Sequence, residues 1–284
     1  MIKTSEFGPW ALVTGASSGI GLQLANRLAE SGINLVLASR SETTLRELAR
    51  SLSEGHRIET RVVGIDLAAE GAASSLNDQT DDLDIGLVIS NAGAGRPGAF
   101  LDRSLAELHR AVTLNAVSHV DMAHYFGPRL VARGRGGFVM TAALGAVHGI
   151  PNMAIDSAAK GLVRNLGEAL HHEFARAGVK VLTILPGAVD TPIIEALGFD
   201  RANLPMRPQP VEQAVDEALR ALARGSMTLV PGFRMRAITK LVPRSVSIRM
   251  NGRMLGIAAA RLDAAPTEAR PASQPRGRIG APSI

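Results

Sequence analysis

Short apolar segments alternate with longer segments of helical periodicity between Trp10 and Gly232. The apolar segments predict seven strands, in the ranges 10–15, 33–40, 58–66, 83–93, 136–143, 179–187 and 227–232. Apolar positions three to four residues apart predict helices between them, as in 20–31, 41–55, 104–133 and 154–177. Strands that alternate with helices form right-handed crossovers. The pattern therefore predicts the α/β class, with a doubly wound parallel sheet of about seven strands and helices on both faces.

The same pattern predicts one domain over residues 8–232, because no linker interrupts it. Residues 233–262 follow as a basic C-terminal extension. The last segment, 263–284, is rich in Pro, Ala, Gly and Arg and has few residues to bury, so we expect a disordered tail.

Composition supports this fold and limits the compartment. Hydrophobic residues make up 46% of the 284 residues and aromatic residues only 3%, so aliphatic side chains must fill the core. The absence of cysteine excludes disulfides and cysteine metal sites, and we predict no metal site. Residues 1–15 lack the regions of a signal peptide and run straight into a strand, and no apolar run approaches the ~20 residues of a membrane-spanning helix. We expect a soluble, cytoplasmic protein.

Positive charge is concentrated near the C-terminus. The formal net charge is +5, and residues 233–262 contain seven arginines and lysines but no acid. This segment is either a solvated appendage or a surface that docks on anionic lipid, and we predict no specific nucleic-acid partner.

A glycine-rich loop, TGASSGIG, lies between the first strand and its helix. Gly15 permits a tight turn, while Gly19 and Gly21 let the backbone approach a pyrophosphate at the helix N-terminus. In this position the loop predicts nucleotide binding rather than a turn without a ligand. The predicted contacts are Thr14, Gly15, Ser17, Ser18, Gly19, Ile20 and Gly21.

The end of the second strand predicts which cofactor is preferred. Recognition of the NAD ribose usually needs an acid at this strand end, but the chain has Ser39 followed by Arg40. A guanidinium can pair with a 2′-phosphate, so NADP(H) is favoured over NAD(H). The alternative for Arg40 is a solvated surface arginine.

Together these motifs resemble the short-chain dehydrogenase/reductase family, which has a Rossmann-like fold, over about residues 8–232. Its glycine loop is similar to TGASSGIG, and Asn115 corresponds to an asparagine of its catalytic set. The resemblance implies that Asp66 contacts adenine and that the PGAVDT segment (186–191) holds the nicotinamide amide. Further cofactor contacts implied are Asn91, Ala92, Gly93, Lys160, Pro186, Gly187, Val189 and Thr191.

The reaction centre departs from the family pattern of Tyr-x-x-x-Lys with a serine thirteen positions before the tyrosine. Lys160 fits the lysine, but Asp156 replaces the tyrosine and Ala143 the serine. The only tyrosine, Tyr125, lies on another predicted helix. The predicted catalytic residues are therefore Asn115, Asp156 and Lys160, with His148 of the following loop as a further candidate.

An aspartate in place of the phenol changes the expected chemistry. If ionised, Asp156 opposes a growing alkoxide about 5 Å away by roughly 3 kcal/mol at an effective dielectric of ~20. A nearby lysine would lower the pKa of Asp156, whereas burial would raise it and let the group act as an acid. The sequence leaves both possibilities open.

Three functions follow. The first is an NADP(H)-dependent oxidoreductase that acts on a carbonyl or hydroxyl of a small apolar substrate through an unusual proton relay. The second is a non-redox isomerase, dehydratase or cyclase that uses Asp156 and Lys160, and the third is a catalytically silent NADP(H) binder. The segment 191–210 resembles the family's lid, whose apolar residues either contact a lipid-like ligand or pack on the protein itself. The resemblance also implies a homo-oligomer through the helices that carry Asn115 and Lys160.

Overall fold

Seven parallel strands form one sheet in the order β3-β2-β1-β4-β5-β6-β7, which confirms the predicted fold class. The computed structural model of the protein describes residues 2–201, 204 and 206–264. The strands are β1 Trp10–Thr14, β2 Asn34–Ser39, β3 Thr60–Gly64, β4 Ile85–Ser90, β5 Gly136–Thr141, β6 Val179–Ile184 and β7 Thr228–Leu229. Strand β3 ends two residues before Asp66, so Asp66 lies in the following loop and not at the strand end as predicted.

Helices cover both faces of the sheet. They are α1 Thr4–Phe7, α2 Gly19–Glu30, α3 Glu42–His56, α4 Ala72–Asp78, α5 Leu105–Val112, α6 Ser118–Arg133, α7 Ala154–Ala175, α8 Ile193–Ala196, α9 Val211–Ala223, α10 Phe233–Leu241 and α11 Arg244–Ala264. Helix α1 corrects the expectation that the N-terminus runs straight into a strand.

The core has two layers because side chains alternate across each strand. On one face, Val13 of β1 belongs to a buried cluster with residues of α2, α3 and α9. On the other face, Leu12 belongs to a cluster with residues of α4, α6 and α7. Strands buried on both sides need apolar residues at successive positions, which explains the continuous apolar runs in the sequence.

The sheet order reverses between β1 and β4, and the carboxyl ends of these strands are joined by one side chain. The Thr14 hydroxyl accepts hydrogen bonds from the backbone N–H groups of Asn91, at 2.9 Å, and Ala92, at 3.1 Å. It donates to the carbonyl of Ile89. In open α/β sheets ligands bind at such a reversal, so this edge is where a site is expected.

The basic C-terminal extension is helical and packs on the body of the protein. Helix α11 lies so close to the loop before α7 that a Cβ on Gly252 would come within 2.9 Å of Pro151. Asp263 and Ala264 are the last residues of α11, so at these two positions the predicted disordered tail is wrong. The rest of that predicted tail, 265–284, lies outside the described residues. No helix in the described ranges is long and apolar enough to cross a membrane.

Candidate active site

The glycine-rich loop forms a tight cradle before α2. Gly15 and Gly19 both have positive φ angles, 65° and 55°, which glycine adopts without strain. A Cβ on Gly21 would lie 2.2 Å from the Gly15 carbonyl oxygen, so only glycine allows this approach of helix to strand. Ser18 precedes the helix, and its side chain makes no capping hydrogen bond within the described chain. The backbone N–H groups in the first turn of α2 have no partner within the helix and point toward the glycine-rich loop.

Two arginines and one acid lie beyond the end of β2. Arg40 is exposed, and the Ser39 hydroxyl is buried without a hydrogen-bond partner in the described part of the chain. Asp66 accepts a hydrogen bond from Arg110 at 2.6 Å and another from the backbone of Ala68. Burial alone would raise the pKa of Asp66, but these bonds and the charges of Arg110 and Arg40 outweigh it and lower the pKa. Asp66 is therefore an anion beside two cations.

Asn115 is placed by a π-helical turn, Thr113–Val117, between α5 and α6. Its amide nitrogen donates to the Ala94 carbonyl at 2.7 Å, and its amide oxygen accepts from the Ala94 N–H at 3.1 Å. A Cβ on Gly93 would lie 2.9 Å from the Asn115 oxygen and 3.2 Å from the Lys160 nitrogen. The segment Asn91-Ala92-Gly93, referred to as the NAG segment, therefore meets Asn115 and Lys160.

Lys160 projects from α7 toward the carboxyl end of β5. Its ammonium donates to the Thr141 carbonyl at 2.8 Å and lies 3.3 Å from Nε2 of the buried His119. The other ring nitrogen of His119 is 2.8 Å from the Ser90 hydroxyl. A protonated lysine can only donate, so Nε2 of His119 accepts and its Nδ1–H donates to Ser90.

Burial changes the proton affinity of both groups. It lowers the pKa of Lys160 to about 8, although the charge of Asp156 opposes this change. Burial, with the Lys160 charge as a smaller cause, holds the pKa of His119 well below its usual range. His119 is therefore neutral near pH 7, and Lys160 gives up its proton in a mildly alkaline range.

Replacing Lys160 by methionine is expected to stabilise the protein near pH 7. Between about pH 8 and 10.5 the unfolded lysine holds a proton that the folded lysine lacks, so wild-type stability rises with pH there. We expect Lys160→Met to gain about 1–2 kcal/mol in the free energy of unfolding at pH 7 and little at pH 10, measured by urea denaturation. Lys160→Arg, which keeps the charge, is the control, and an equal gain at both pH values would contradict the assignment.

Asp156 pairs with an arginine from another part of the chain. Its carboxylate accepts a hydrogen bond at 3.2 Å from Arg103, which lies in the loop before α5, and both side chains are largely buried. The buried Nε atom of Arg103 has no further partner among the described residues. Arg103, rather than Lys160, is thus the direct ionic partner of Asp156.

The pKa of Asp156 is raised, mainly because the carboxyl group is buried. The charge and hydrogen bond of Arg103 lower it in opposition, and the charge of Lys160 is the smallest of the opposing causes. The possibility that Lys160 lowers this pKa below the usual range is thus wrong, because desolvation outweighs both cations.

The further candidate His148 and the other residues of the family's catalytic pattern make different contacts. Ala143 brings no hydroxyl group, and the Thr141 hydroxyl is buried without a partner in the described ranges. His148 contacts the Ser247 hydroxyl of α11 at 2.8 Å. Tyr125 stacks edge-to-face on His124 of α6, with ring centroids 5.1 Å apart. His148 is thereby tied to the C-terminal helix, and its catalytic role stays a prediction.

The PGAVDT segment faces the glycine loop. Thr191 is buried, and a Cβ on Gly19 would lie 3.4 Å from its side chain. A Cβ on Gly187 would lie 3.0 Å from Met235 of α10, so this helix packs behind the segment. Pro186 accepts a hydrogen bond from the N–H of Leu144 at 2.8 Å, which fixes the segment beside β5.

Three polar residues of the site escaped the sequence analysis: Arg103, His119 and Ser90. A signal for His119 existed, because it follows Asn115 by four positions and therefore shares its helix face. For Arg103 the only clue is indirect, since a buried acid needs a counter-ion. No cluster of His, Asp and Glu suited to a metal occurs in the described part of the chain.

Comparison with known proteins identifies the family of the chain. The family model for short chain dehydrogenases matches residues 9–201. Over 188 residues, covering 65% of the chain, the sequence is 31% identical to the very-long-chain 3-oxoacyl-CoA reductase of Bos taurus, and the alignment spans only 60% of that protein. It is 28% identical over 197 residues to the inactive hydroxysteroid dehydrogenase-like protein 1 of Homo sapiens, covering 68% of the chain and 60% of that protein.

A solved structure resembles almost the whole chain. The short-chain dehydrogenase from Sphingobium yanoikuyae in complex with NADPH superposes with a TM-score of 0.76 at 28% identity, covering 95% of this chain and all of that one. Because the family model also covers more than half of the residues, the protein belongs to the short chain dehydrogenase family.

Proposed function

We propose that the protein binds NADP(H) at the carboxyl edge of β1, β2 and β4. The Gly15–Gly21 cradle has no side chains at its three glycines, so a pyrophosphate can approach the backbone there. The first turn of α2 offers backbone N–H donors to it. The buried, unpartnered Ser39 hydroxyl and the Arg40 guanidinium fit a 2′-phosphate. The NADPH complex of the Sphingobium yanoikuyae relative supports the same choice.

Arg40→Ala tests the preference between the two cofactors. We expect the Kd for NADPH to rise about tenfold, because a charge-assisted bond to the 2′-phosphate is lost. The Kd for NADH should stay within about twofold, since that cofactor carries no such phosphate. Fluorescence titration measures both constants, and Arg50→Ala on α3 is the control for loss of an exposed arginine. Equal weakening of the two cofactors would contradict the assignment.

We further infer that the chain is an oxidoreductase acting on a carbonyl or hydroxyl group. The observation that carries this inference is the Arg103–Asp156 pair. Asp156 alone would oppose the negative charge that develops on a carbonyl oxygen during reduction. With Arg103 and a protonated Lys160 beside it, the site has two cations for one carboxylate. Its net charge therefore favours an oxyanion.

The dihydronicotinamide would supply the hydride when it is bound. Arg103 would stabilise the substrate oxygen as negative charge grows there, in place of the missing serine and tyrosine hydroxyls. When Asp156 takes up a proton, which its raised pKa favours, it would donate that proton to the alkoxide oxygen and return to the carboxylate form. Lys160 would bind the cofactor ribose, while Asn115 keeps the backbone at Ala94 in position.

An apolar substrate suits the described part of the lid. Leu197 of the lid and Met153 both approach Gly95, where a Cβ would lie 3.1 Å and 3.0 Å from them, respectively. Ile193 is exposed and Ile194 buried, so the lid both packs on the protein and presents apolar surface. The bovine relative is a very-long-chain 3-oxoacyl-CoA reductase, which supports an acyl carbonyl compound.

The test is turnover of NADPH with a panel of apolar ketones and 3-oxoacyl thioesters, followed at the nicotinamide absorbance band. Oxidation of NADPH that depends on substrate is the expected result. NADPH binding without oxidation would reject the oxidoreductase function. Loss of substrate without any change in absorbance would instead indicate the isomerase, dehydratase or cyclase alternative.

A second candidate is a catalytically silent NADP(H)-binding protein. Two observations favour it: Ala143 and Asp156 remove both hydroxyl groups of the family's reaction centre, and one human relative is named inactive. This candidate predicts that the protein binds NADPH without oxidising it with any substrate, and that Gly21→Val, which blocks the cradle, abolishes this binding.

Homo-oligomer formation through α6 and α7 is proposed as well. An apolar groove lies between these helices, lined by residues that include Val120, Val131, Leu166 and Phe174. Val120 and Val131 are each 40% exposed. Burial of this groove by a second copy would remove apolar surface from water, and sedimentation of Val131→Glu would show a smaller species than wild type.

A further inference from the structure

The exposed faces of α10 and α11, two helices that follow each other along the chain, each combine apolar side chains with cations. Phe233 and Leu241, at the two ends of α10, are 78% and 79% exposed. They surround a shallow depression together with Arg236, Ala237 and Lys240. Isolated exposed apolar residues are common on soluble proteins, but large ones grouped with cations are not.

Helix α11 also has exposed apolar side chains next to cations. Val246, Met250 and Ile257 are all at least half-exposed. Their spacing places them on one side of the helix, and the exposed Arg253 falls on the same side. Leu255, Ala258 and Ala259 are buried on the opposite side. The helix is thus apolar on both sides, but only the inner side packs on the protein.

The charges of this surface are of one sign. The exposed cations are Arg234, Lys240, Arg244, Arg249 and Arg253, and no acid occurs between Phe233 and Leu262. Arg236 is different, because it pairs with Glu217 of α9 at 2.6 Å. We refer to the exposed faces of α10 and α11 within residues 233–257 together as the basic apolar surface.

We propose that the basic apolar surface docks on an anionic lipid bilayer. Apolar side chains would enter the boundary between headgroups and acyl chains, while the arginines and lysines would contact anionic headgroups. A second copy of the chain would bring like charges together. A nucleic acid would match the cations but leave Phe233 and Leu241 in water. An anionic bilayer satisfies both properties of the surface.

The basic apolar surface lies partly on α11, the helix that contacts the lid. The inner side of α11 contacts the lid, since a Cβ on Gly198 would lie 2.5 Å from the Ala258 carbonyl oxygen. It also holds the loop before α7, through a hydrogen bond from the Asn152 amide to the Gly252 carbonyl at 3.1 Å. Docking of the outer side would therefore hold the lid about one helix diameter, ~10 Å, from the bilayer, where apolar molecules are concentrated.

Co-sedimentation of the full chain with vesicles tests the proposal. We expect binding to vesicles of phosphatidylcholine with phosphatidylserine, weaker binding at high salt, and little binding to phosphatidylcholine alone. Each cation near an anionic surface contributes about fivefold to partitioning. Arg244→Glu with Arg249→Glu should therefore weaken binding at least about 25-fold. Phe233→Ser with Leu241→Ser should weaken it without changing the salt dependence.

The control pair is Arg50→Glu with Arg135→Glu, which reverses two exposed arginines on other elements. Circular dichroism must show that all variants fold. Equal loss of binding in the control pair would overturn the proposal, as would equal binding to both kinds of vesicle or no binding at all. A smaller oligomer on Phe233→Ser with Leu241→Ser would assign the surface to a second copy instead. Stronger binding to duplex DNA than to anionic vesicles would assign it to nucleic acid.

Discussion

A triple variant, Asp156→Tyr with Ala143→Ser and Arg103→Met, is expected to reduce ketones with NADPH at least about 100-fold faster than the wild type. Tyrosine and serine would restore two preorganised donors, and each such donor is typically worth roughly 10²–10³ in rate. Lys160 and Asn115 are already placed beside the NAG segment. The measurement is the turnover number with a panel of apolar ketones.

Arg103 must change together with the other two residues. With Asp156 replaced by tyrosine, the guanidinium would stay largely buried without its counter-ion. The double variant Asp156→Tyr with Ala143→Ser is therefore expected to be less stable than the triple variant. If the triple variant folds and binds NADPH but shows no faster reduction, the substrate side of the pocket does not support carbonyl reduction.

Arg103→Met alone is expected to destabilise the protein by about 3 kcal/mol at pH 7. The change leaves the Asp156 carboxylate buried without a partner, which is the costly way to break a buried ion pair. The loss should shrink as pH falls. Burial raises the pKa of Asp156, removal of Arg103 raises it further, and the carboxyl group then takes up a proton in the folded state before it does so in the unfolded state.

Two comparisons isolate this effect in the free energy of unfolding, measured with urea at pH 7 and pH 5. Arg96→Met breaks an exposed ion pair with Glu107 in the same segment, and we expect a loss below about 1 kcal/mol. Asp156→Asn combined with Arg103→Met removes both charges and should recover much of the stability. A loss for Arg103→Met that is independent of pH would contradict the ionic role of the pair.

The fold could be predicted because its signals are local. Strand β4 is buried along its whole length, and such a strand requires a continuous apolar run. The glycine loop requires glycine at Gly15 and Gly19, because both residues have positive φ angles. The positions of Asn115 and Lys160 beside the NAG segment could be anticipated for the same reason, through the motifs that carry them.

The ionic partner of Asp156 could not be predicted from the sequence. Arg103 lies 53 positions away along the chain, and its contact depends on how the loop before α5 folds back on α7. The packing of the C-terminal segment is a second example. Its cations left open whether it is a solvated appendage or a docking surface, and its packing depends on contacts of small residues, such as Gly252 against Pro151.

The π-helical turn at Thr113–Val117 interrupts the α-helical geometry between α5 and α6, and this interruption positions Asn115 in the site. An α-helix advances by about 100° per residue, so deletion of one residue from this turn would make α5 and α6 continuous and swing Asn115 away from Ala94. A chain shortened by one residue at this turn would thus form a more regular helix but would lose the position of Asn115 beside Ala94.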